Sequence, residues 1–368
     1  MRVLVAPDCF GGTLTALEAA EAIAAGWRRT APADELLLRP LADGGPGFVE
    51  VLHGALGGEV HEARVTGPLG HPVTARWLAH DGTAYIESAQ ACGLHLTDRR
   101  DPETSTTYGV GELIAAAREA GLTKAVVGLG GSGTTDGGAG MIRALGGHVT
   151  DDTGNPIGSG GTDLARAEVV ELPAVGITLV AASDVENPLL GRHGAARTFG
   201  PQKGADPAAV ERLEAGLTTW AEVLRTAGQD VRDSPGAGAA GGLGAGLLAL
   251  GAEFTSGSAL VRTLTRLDEA LDQARLAITG EGSFDWQSLR GKLITAVAAG
   301  AADRGIACLV LAGQVSVGRR EAGAVGVEQS YAVAEHAGSV AAAMADPAGA
   351  LAALAADVAG QWSRANGR

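Results

Sequence analysis

Carboxylates stand at or just beyond short apolar runs along this chain: Asp8, Asp43, Asp136, Asp184, Glu281 and Asp285. A carboxylate so placed can hold a magnesium ion together with substrate phosphates, or accept the proton of an alcohol, and both tasks call for Asp or Glu. Taken singly, each reads as a helix N-cap or turn residue; their recurrence favours a shared function. Two lysines occupy glycine-flanked turns, Lys203 in Gly200-Pro-Gln-Lys-Gly and Lys292 in Arg290-Gly-Lys. There an ammonium is either a solvated surface group or the partner of an anion. The stretch Gly128-Leu-Gly-Gly-Ser-Gly-Thr-Thr-Asp-Gly-Gly-Ala-Gly140 follows the apolar run Ala125-Val-Val127 and precedes a helix expected over Ala139–Leu145. Bare glycine backbone lets amides approach phosphate oxygens, and a helix N-terminus adds positive charge. The alternative is a tight turn with close helix–sheet packing; Thr134, Thr135 and Asp136 favour the ligand reading.

Other chemistries find less support. No GxxxxGK[ST] occurs, and Gly282 with Gly291-Lys292-Leu293 has the wrong spacing and no hydroxyl residue. Gly128–Gly133 matches GxGxxG, but no clear strand-ending acidic residue follows about twenty positions on, which disfavours a dinucleotide oxidoreductase. The histidines show no ligand spacing, and Cys9, Cys92 and Cys308 form neither a CxxC nor a zinc pattern. Reduced thiols and a cytoplasmic location are expected. The apolar start Met-Arg-Val-Leu-Val-Ala-Pro is too short for a signal segment, and no run is long enough to span a bilayer.

The elements that must position these groups alternate. Val3–Ala6 reads as a strand ending near Asp8, followed by a helix over Thr15–Arg29 opened by a Thr15…Glu18 capping box. Glu35–Leu41 reads as a second strand leading to Asp43. From about Val60 the texture changes to short alternating strands, Glu62–Thr66, Thr74–Leu78 and Thr83–Glu87, which suggests antiparallel pairing and a domain change. A helix over Gly109–Ala120, a strand Ile177–Ala182 delivering Ser183-Asp184, and a helix over Pro207–Thr226 follow. Then come the glycine-rich run Gly236–Gly246, the strand Leu276–Thr279 leading to Gly280-Glu281-Gly282, and the strand Cys308–Leu311. The 368 residues exceed one usual core, so the expectation is an α/β protein of two domains: residues 1–60 with 260–368, and an inserted 61–259. With 57 glycines and 4% aromatics, its core is Ala, Val, Leu and Ile packed close to backbone. The formal charge of −14 argues against nucleic acid and anionic membranes, so an anionic ligand needs a local basic spot or its own cation.

Taken together the segments resemble the bacterial type I glycerate kinase family, whose members phosphorylate D-glycerate with MgATP. The resemblance runs along nearly the whole chain. It rests on Val5-Ala-Pro-Asp8 with Phe10, Ala42-Asp-Gly-Gly45, Val65-Thr-Gly-Pro-Leu-Gly70, Thr106-Thr-Tyr-Gly109 and the glycine stretch after Val127. Asp184 with Asn187-Pro-Leu, Phe199-Gly-Pro-Gln-Lys-Gly-Ala205, Pro235–Gly246, Thr279-Gly-Glu-Gly282, Asp285, Gln287, Gly291 and Lys292 continue it.

The resemblance implies two α/β domains. One is a doubly wound parallel-sheet domain formed by both chain ends; the other, a mixed α/β domain, is inserted in it, with the active site in the cleft. It implies ATP and Mg2+ as cofactors and a small-molecule partner, with self-association into a homodimer left open. Gly130, Gly131, Ser132, Gly238, Gly241, Gly242, Gly280 and Gly282 would then face nucleotide phosphates with Lys203 and Lys292. Asp8, Asp43, Glu281 and Asp285 would hold metal, and Asp136 and Asp184 would serve as base or orient the acceptor. The chain departs from the family pattern beside those aspartates. Gly11 stands in place of Lys, Pro46 and Phe48 in place of Glu and Thr, Thr135 of Asn, Ser283 of Arg, while Cys9 and Cys92 replace serine or another small residue. Lost basic groups fit an acceptor without a carboxylate, so another hydroxy acid or a neutral polyol is the alternative acceptor. A non-catalytic phosphate-binding relative is disfavoured by the retained lysines and aspartates.

Overall fold

The computed structural model describes residues 1–289 and 293–365. Strands run over Arg2–Val5 (β1), Glu35–Leu38 (β2), Glu59–Thr66 (β3), Pro72–His80 (β4), Thr83–Glu87 (β5), Lys124–Gly128 (β6), His148–Thr150 (β7) and Val169–Glu171 (β8). The rest are Thr178–Ala182 (β9), Glu253–Thr255 (β10), Leu276–Thr279 (β11), Ser283–Phe284 (β12), Ala307–Ala312 (β13), Gln314–Val315 (β14) and Gln329–Ala332 (β15). Contacts gather the chain into two units: Met1–Ala42 with Glu50–Leu56 and Ser258–Arg368, and Asp43–Val49 with Gly57–Gly257.

The unit built from both chain ends holds a five-stranded sheet in the order β2-β1-β11-β13-β15, every pairing parallel. Successive residues of a strand face opposite sides, and here both sides are buried. Val3, Val5, Ile278, Leu309 and Leu311 pack with the helices Ala16–Thr30 and Pro347–Ala365. Leu4, Ala277, Cys308 and Val310 are equally buried on the other side. The first helix begins as its sequence requires: the Thr15 side chain accepts from the Glu18 amide at 3.2 Å, and Glu18 Oε2 accepts from the Thr15 amide at 2.8 Å.

In the inserted unit the sheet is mixed, in the order β3-β4-β5-β6-β9-β10. β3, β4 and β5 pair antiparallel, as their alternation predicts, and β5, β6, β9 and β10 pair parallel. The core of this unit carries Val127, Ile142, Leu213, Trp220 and Leu243, all buried. Glu35–Leu41 is shorter than expected, ending at Leu38, and the small pair β7–β8 was not foreseen because three-residue strands carry no period.

Candidate functional site

Four parallel strands of the inserted unit end at one edge, and each delivers a polar group there: Glu87 on β5, the glycine stretch after β6, Asp184 after β9 and Ser256 after β10. The loop that carries Asp43 is seated on the same edge. A Cβ added to Gly44 would lie 2.6 Å from the Ala182 carbonyl oxygen, and one added to Gly130 would lie 2.6 Å from Gly45 Cα. Such approach is open only to glycine. The structure therefore brings Asp43, Gly130, Gly131, Ser132 and Asp184 to one place within this unit. Asp43 Oδ1 accepts from the Gly45 amide at 3.0 Å, and Asp184 Oδ1 accepts from Ser256 Oγ at 2.6 Å. Both aspartates are half-buried.

Along the glycine stretch, Leu129 donates to Ala182 O at 2.9 Å, Gly133 to Cys92 O at 2.7 Å and Gly137 to Gly241 O at 3.1 Å. Among the described residues, the amides of Gly130, Gly131 and Ser132 donate to no acceptor. Gly131 is exposed and left-handed, with φ of 65°. Successive amides around a left-handed residue form a concavity that takes an anion.

Asp136 lies deeper, only 1% exposed. Its Oδ2 accepts from the Thr107 amide at 2.8 Å, Thr107 Oγ1 at 2.9 Å and the Gly140 amide at 3.2 Å, and its Oδ1 accepts from the Gly138 amide at 3.2 Å. Burial raises its pKa against those donors. Lys203 is not a surface group: it is 2% exposed and donates to Thr134 O at 2.6 Å. Burial pushes its pKa down to about 8, opposed by the neighbouring Cys92 and Asp136. Burial, aided by Asp136, pushes the Cys92 thiol up to about 12, so this cysteine is no nucleophile. Among the described residues the Thr135 hydroxyl, in the same buried cluster, has no hydrogen-bond partner.

The second glycine run resolves toward packing. Within the helix Ala239–Ala249, residues Ala240, Gly241 and Gly242 are left-handed, with φ of 49°, 70° and 88°. A Cβ on Gly241 would lie 1.9 Å from Thr134 O, one on Gly242 2.8 Å from Gly137 Cα, and one on Gly238 2.3 Å from Pro188 O. At these three positions an added Cβ would meet protein, so close packing alone already requires glycine there. Gly280 is similar, 2.0 Å from Leu311 O by the same measure.

In the terminal unit, Asp8 follows β1 and Glu281 follows β11. The Asp8 amide donates to Gly280 O at 2.8 Å, tying the two loops together, and Asp8 Oδ1 accepts from the Cys9 amide at 2.7 Å. Asp285 closes a turn, its Oδ1 accepting from the Gln287 amide at 2.8 Å. Lys292 lies outside the described residues. Among the described residues no three His, Cys, Asp or Glu side chains are grouped to hold a metal by themselves. Magnesium does not require such a cage, because one or two carboxylates with waters and substrate phosphates suffice. The half-buried oxygens of Asp8, Asp43, Asp184, Glu281 and Asp285 have that chemistry. Among the described residues no helix is long and apolar enough to cross a membrane.

Sequence reasoning missed two residues. Ser256 carries no signal beyond its place after an apolar strand. Glu87 ends an alternating strand, and its position there was the available clue. It is 4% exposed, and Oε2 accepts from the Gly47 amide at 3.0 Å and the Val49 amide at 3.4 Å, fastening the Asp43 loop to β5. Burial outweighs these donors and pushes its pKa from 4.5 up to about 7. The folded chain thus holds a proton that the unfolded chain releases, so stability falls as pH rises from 4.5 toward 7 and levels off above. Glu87→Gln is expected to shrink the loss of unfolding free energy between pH 5 and pH 8 by about 3 kcal/mol, read from urea melts at both values. An unchanged pH dependence would show that Glu87 ionises as freely in the fold as outside it.

The profile described as the glycerate kinase family matches residues 3–363. The glycerate 2-kinase of Escherichia coli (strain K12) is 46% identical over 309 residues, covering 81% of this chain and 81% of that protein. The glycerate kinase of Bacillus subtilis (strain 168) is 43% identical over 327 residues, covering 86% of each. The crystal structure of putative glycerate kinase 2 from Salmonella typhimurium LT2 superposes with a TM-score of 0.82 at 37% identity, covering 99% of both chains. The protein is therefore an α/β phosphotransferase acting on an alcohol group. Its parallel sheets are those of that solved structure, and the chain belongs to the glycerate kinase family.

Proposed function

We propose that the chain transfers the γ-phosphoryl group of ATP to the 2-hydroxyl of D-glycerate, giving 2-phosphoglycerate, with Mg2+ as cofactor. The observation that carries this reading is the edge of the inserted unit, where the open amides of Gly130, Gly131 and Ser132 share one strand-end surface with Asp43 and Asp184. Amides suit phosphate oxygens, and a half-buried carboxylate oriented by Ser256 suits a hydroxyl proton. The names of the Escherichia coli and Bacillus subtilis relatives support glycerate as acceptor.

In this reading Asp184 takes the proton of the acceptor hydroxyl while its oxygen bonds to phosphorus and the bond to ADP breaks. Asp43, which shares the strand-end surface of the inserted unit with the open amides, would hold magnesium. That ion supplies neutralisation of the charge on the transferred group. Asp136 touches no reacting atom in this arrangement; sealed beneath the loop, it positions the backbone of the glycine stretch, with Lys203 as its buried counter-charge.

A neutral polyol as acceptor has one observation in its favour: at Gly11, where the family pattern has lysine, nothing among the described residues lies within 4 Å of an added Cβ. The test is to incubate the protein with MgATP and D-glycerate, related hydroxy acids and polyols, following ADP release and the products by 31P NMR. The expected result is 2-phosphoglycerate from D-glycerate. Activity with polyols alone would replace the acceptor, and no acceptor-dependent ADP from any of them would overturn ATP as donor.

A further inference from the structure

We propose that the terminal unit binds the purine base of the nucleotide in a mainly apolar pocket at the carboxyl edge of its parallel sheet, an inference that rests on a nucleotide being the phosphoryl donor. In this sheet order the chain direction of crossover reverses between β1 and β11, and open α/β sheets bind ligands in the crevice outside the strand ends at that reversal. The loops on either side are those that carry Asp8 and Glu281. Next to them lies a cavity of about 320 Å³, inside the range of small-molecule sites, about 300–1,000 Å³.

The cavity's lining selects among the parts of a nucleotide. Among the described residues that line it, none is charged: Leu14, Val333, Val340 and Met344 give it apolar walls, while Thr13, Ser283 and Gln314 contribute polar side chains. A phosphate or a carboxylate would find no counter-charge there, and its desolvation would go uncompensated. A purine base is neutral, flat and mostly apolar on its faces, with donors and acceptors only at its edge. Its faces suit aliphatic and thioether walls. A side-chain amide such as that of Gln314 can both donate to and accept from its edge.

The rim gives an independent indication. Val340 is 47% exposed and Met344 57% exposed, two of the few large apolar side chains left open among the described residues. Both belong to one helix, Val340–Ala345, fixed at its start by Ser339 Oγ accepting from the Ala342 amide at 3.1 Å. Neighbouring apolar groups held at the mouth of a cavity mark a surface that a ligand covers. Gly11 at the other wall leaves the mouth open: among the described residues an added Cβ there meets nothing within 4 Å.

Because Val340 and Met344 are exposed, charge can be placed there without disturbing a core. In the wild type, saturation-transfer NMR is expected to show contact from protein to the H2 and H8 protons of adenosine, a probe without phosphate. Met344→Glu and Val340→Glu should each abolish that transfer and raise the KM for ATP at least about tenfold, corresponding to about 1.4 kcal/mol, while the KM for the acceptor stays within about twofold. Transfer to adenosine retained in both variants, or an unchanged KM for ATP, would overturn the pocket and leave ATP as donor intact. Should the wild type turn over no ATP with any acceptor, the donor reading falls by itself. Adenosine then still decides the pocket: transfer that Met344→Glu abolishes supports it, and no transfer in the wild type overturns it.

Discussion

Asp184→Asn is expected to lower kcat by about 100- to 10,000-fold, the range that a positioned general base contributes, while the thermal midpoint stays where it was. The amide keeps the shape of the side chain and can still accept from Ser256 Oγ, now 2.6 Å from Asp184 Oδ1, but it cannot take a proton from a hydroxyl. The loss should appear in kcat and kcat/KM alike, because the interaction is made as the proton leaves. Ser256→Ala should cost less, since it removes only the group that orients the carboxylate. Steady-state kinetics beside a melting curve would check both, and near wild-type turnover in Asp184→Asn would remove this residue from the proton path.

Asp136→Asn is expected to act through the fold. Its carboxylate accepts from the Thr107 amide and hydroxyl and from the Gly138 and Gly140 amides in a site closed to solvent. An asparagine has one acceptor oxygen for those donors, and its NH2 group would face an amide N–H. It would also leave Lys203 without the anion that opposes its burial, so the pKa of that lysine would fall further below its ordinary value. Leaving a buried charge and buried donors unmatched costs about 3 kcal/mol of unfolding free energy, to be read from denaturant melts of wild type and variant under the same conditions. An unchanged midpoint with lost activity would instead place Asp136 in contact with substrate.

The contrast between these two aspartates shows what is legible in a sequence and what is not. Both end apolar runs and both are followed by chemistry-bearing neighbours, so their types and positions were readable as a set. What separates them is three-dimensional. The partners of Asp136 at Thr107 are 29 residues away, and no local pattern announces that they will close over it. The capping box at Thr15 and the alternation of β3 to β5 were readable because a helix start and a half-buried strand are decided by near neighbours.

The glycine runs were ambiguous for the same reason. Gly131 and Gly241 are both left-handed glycines, yet Gly131 is exposed beside open amides and Gly241 is wedged against Thr134 O. Only the opposing surface distinguishes a cradle from a packing contact. Lys203 could be read as a solvated turn residue or as the partner of an anion, because its burial is supplied by segments far from it in the chain, including Cys92 and Thr134.

The pairing of β1 with β11 has a consequence for how the chain is made. Thr279 Oγ1 donates to Ala6 O at 2.8 Å across 273 residues, and β1 lies between β2 and β11 in its sheet. During synthesis at about 5–20 residues per second, β1 leaves the ribosome tens of seconds before the strand that completes its second edge. β1 and β2 must spend that interval with an apolar edge unpaired, while the contiguous segment Gly57–Gly257 emerges with most of its own partners. The nascent amino-terminal strand–helix–strand unit is therefore exposed to mispairing for that interval, and slow translation of the middle of the chain would lengthen its exposure.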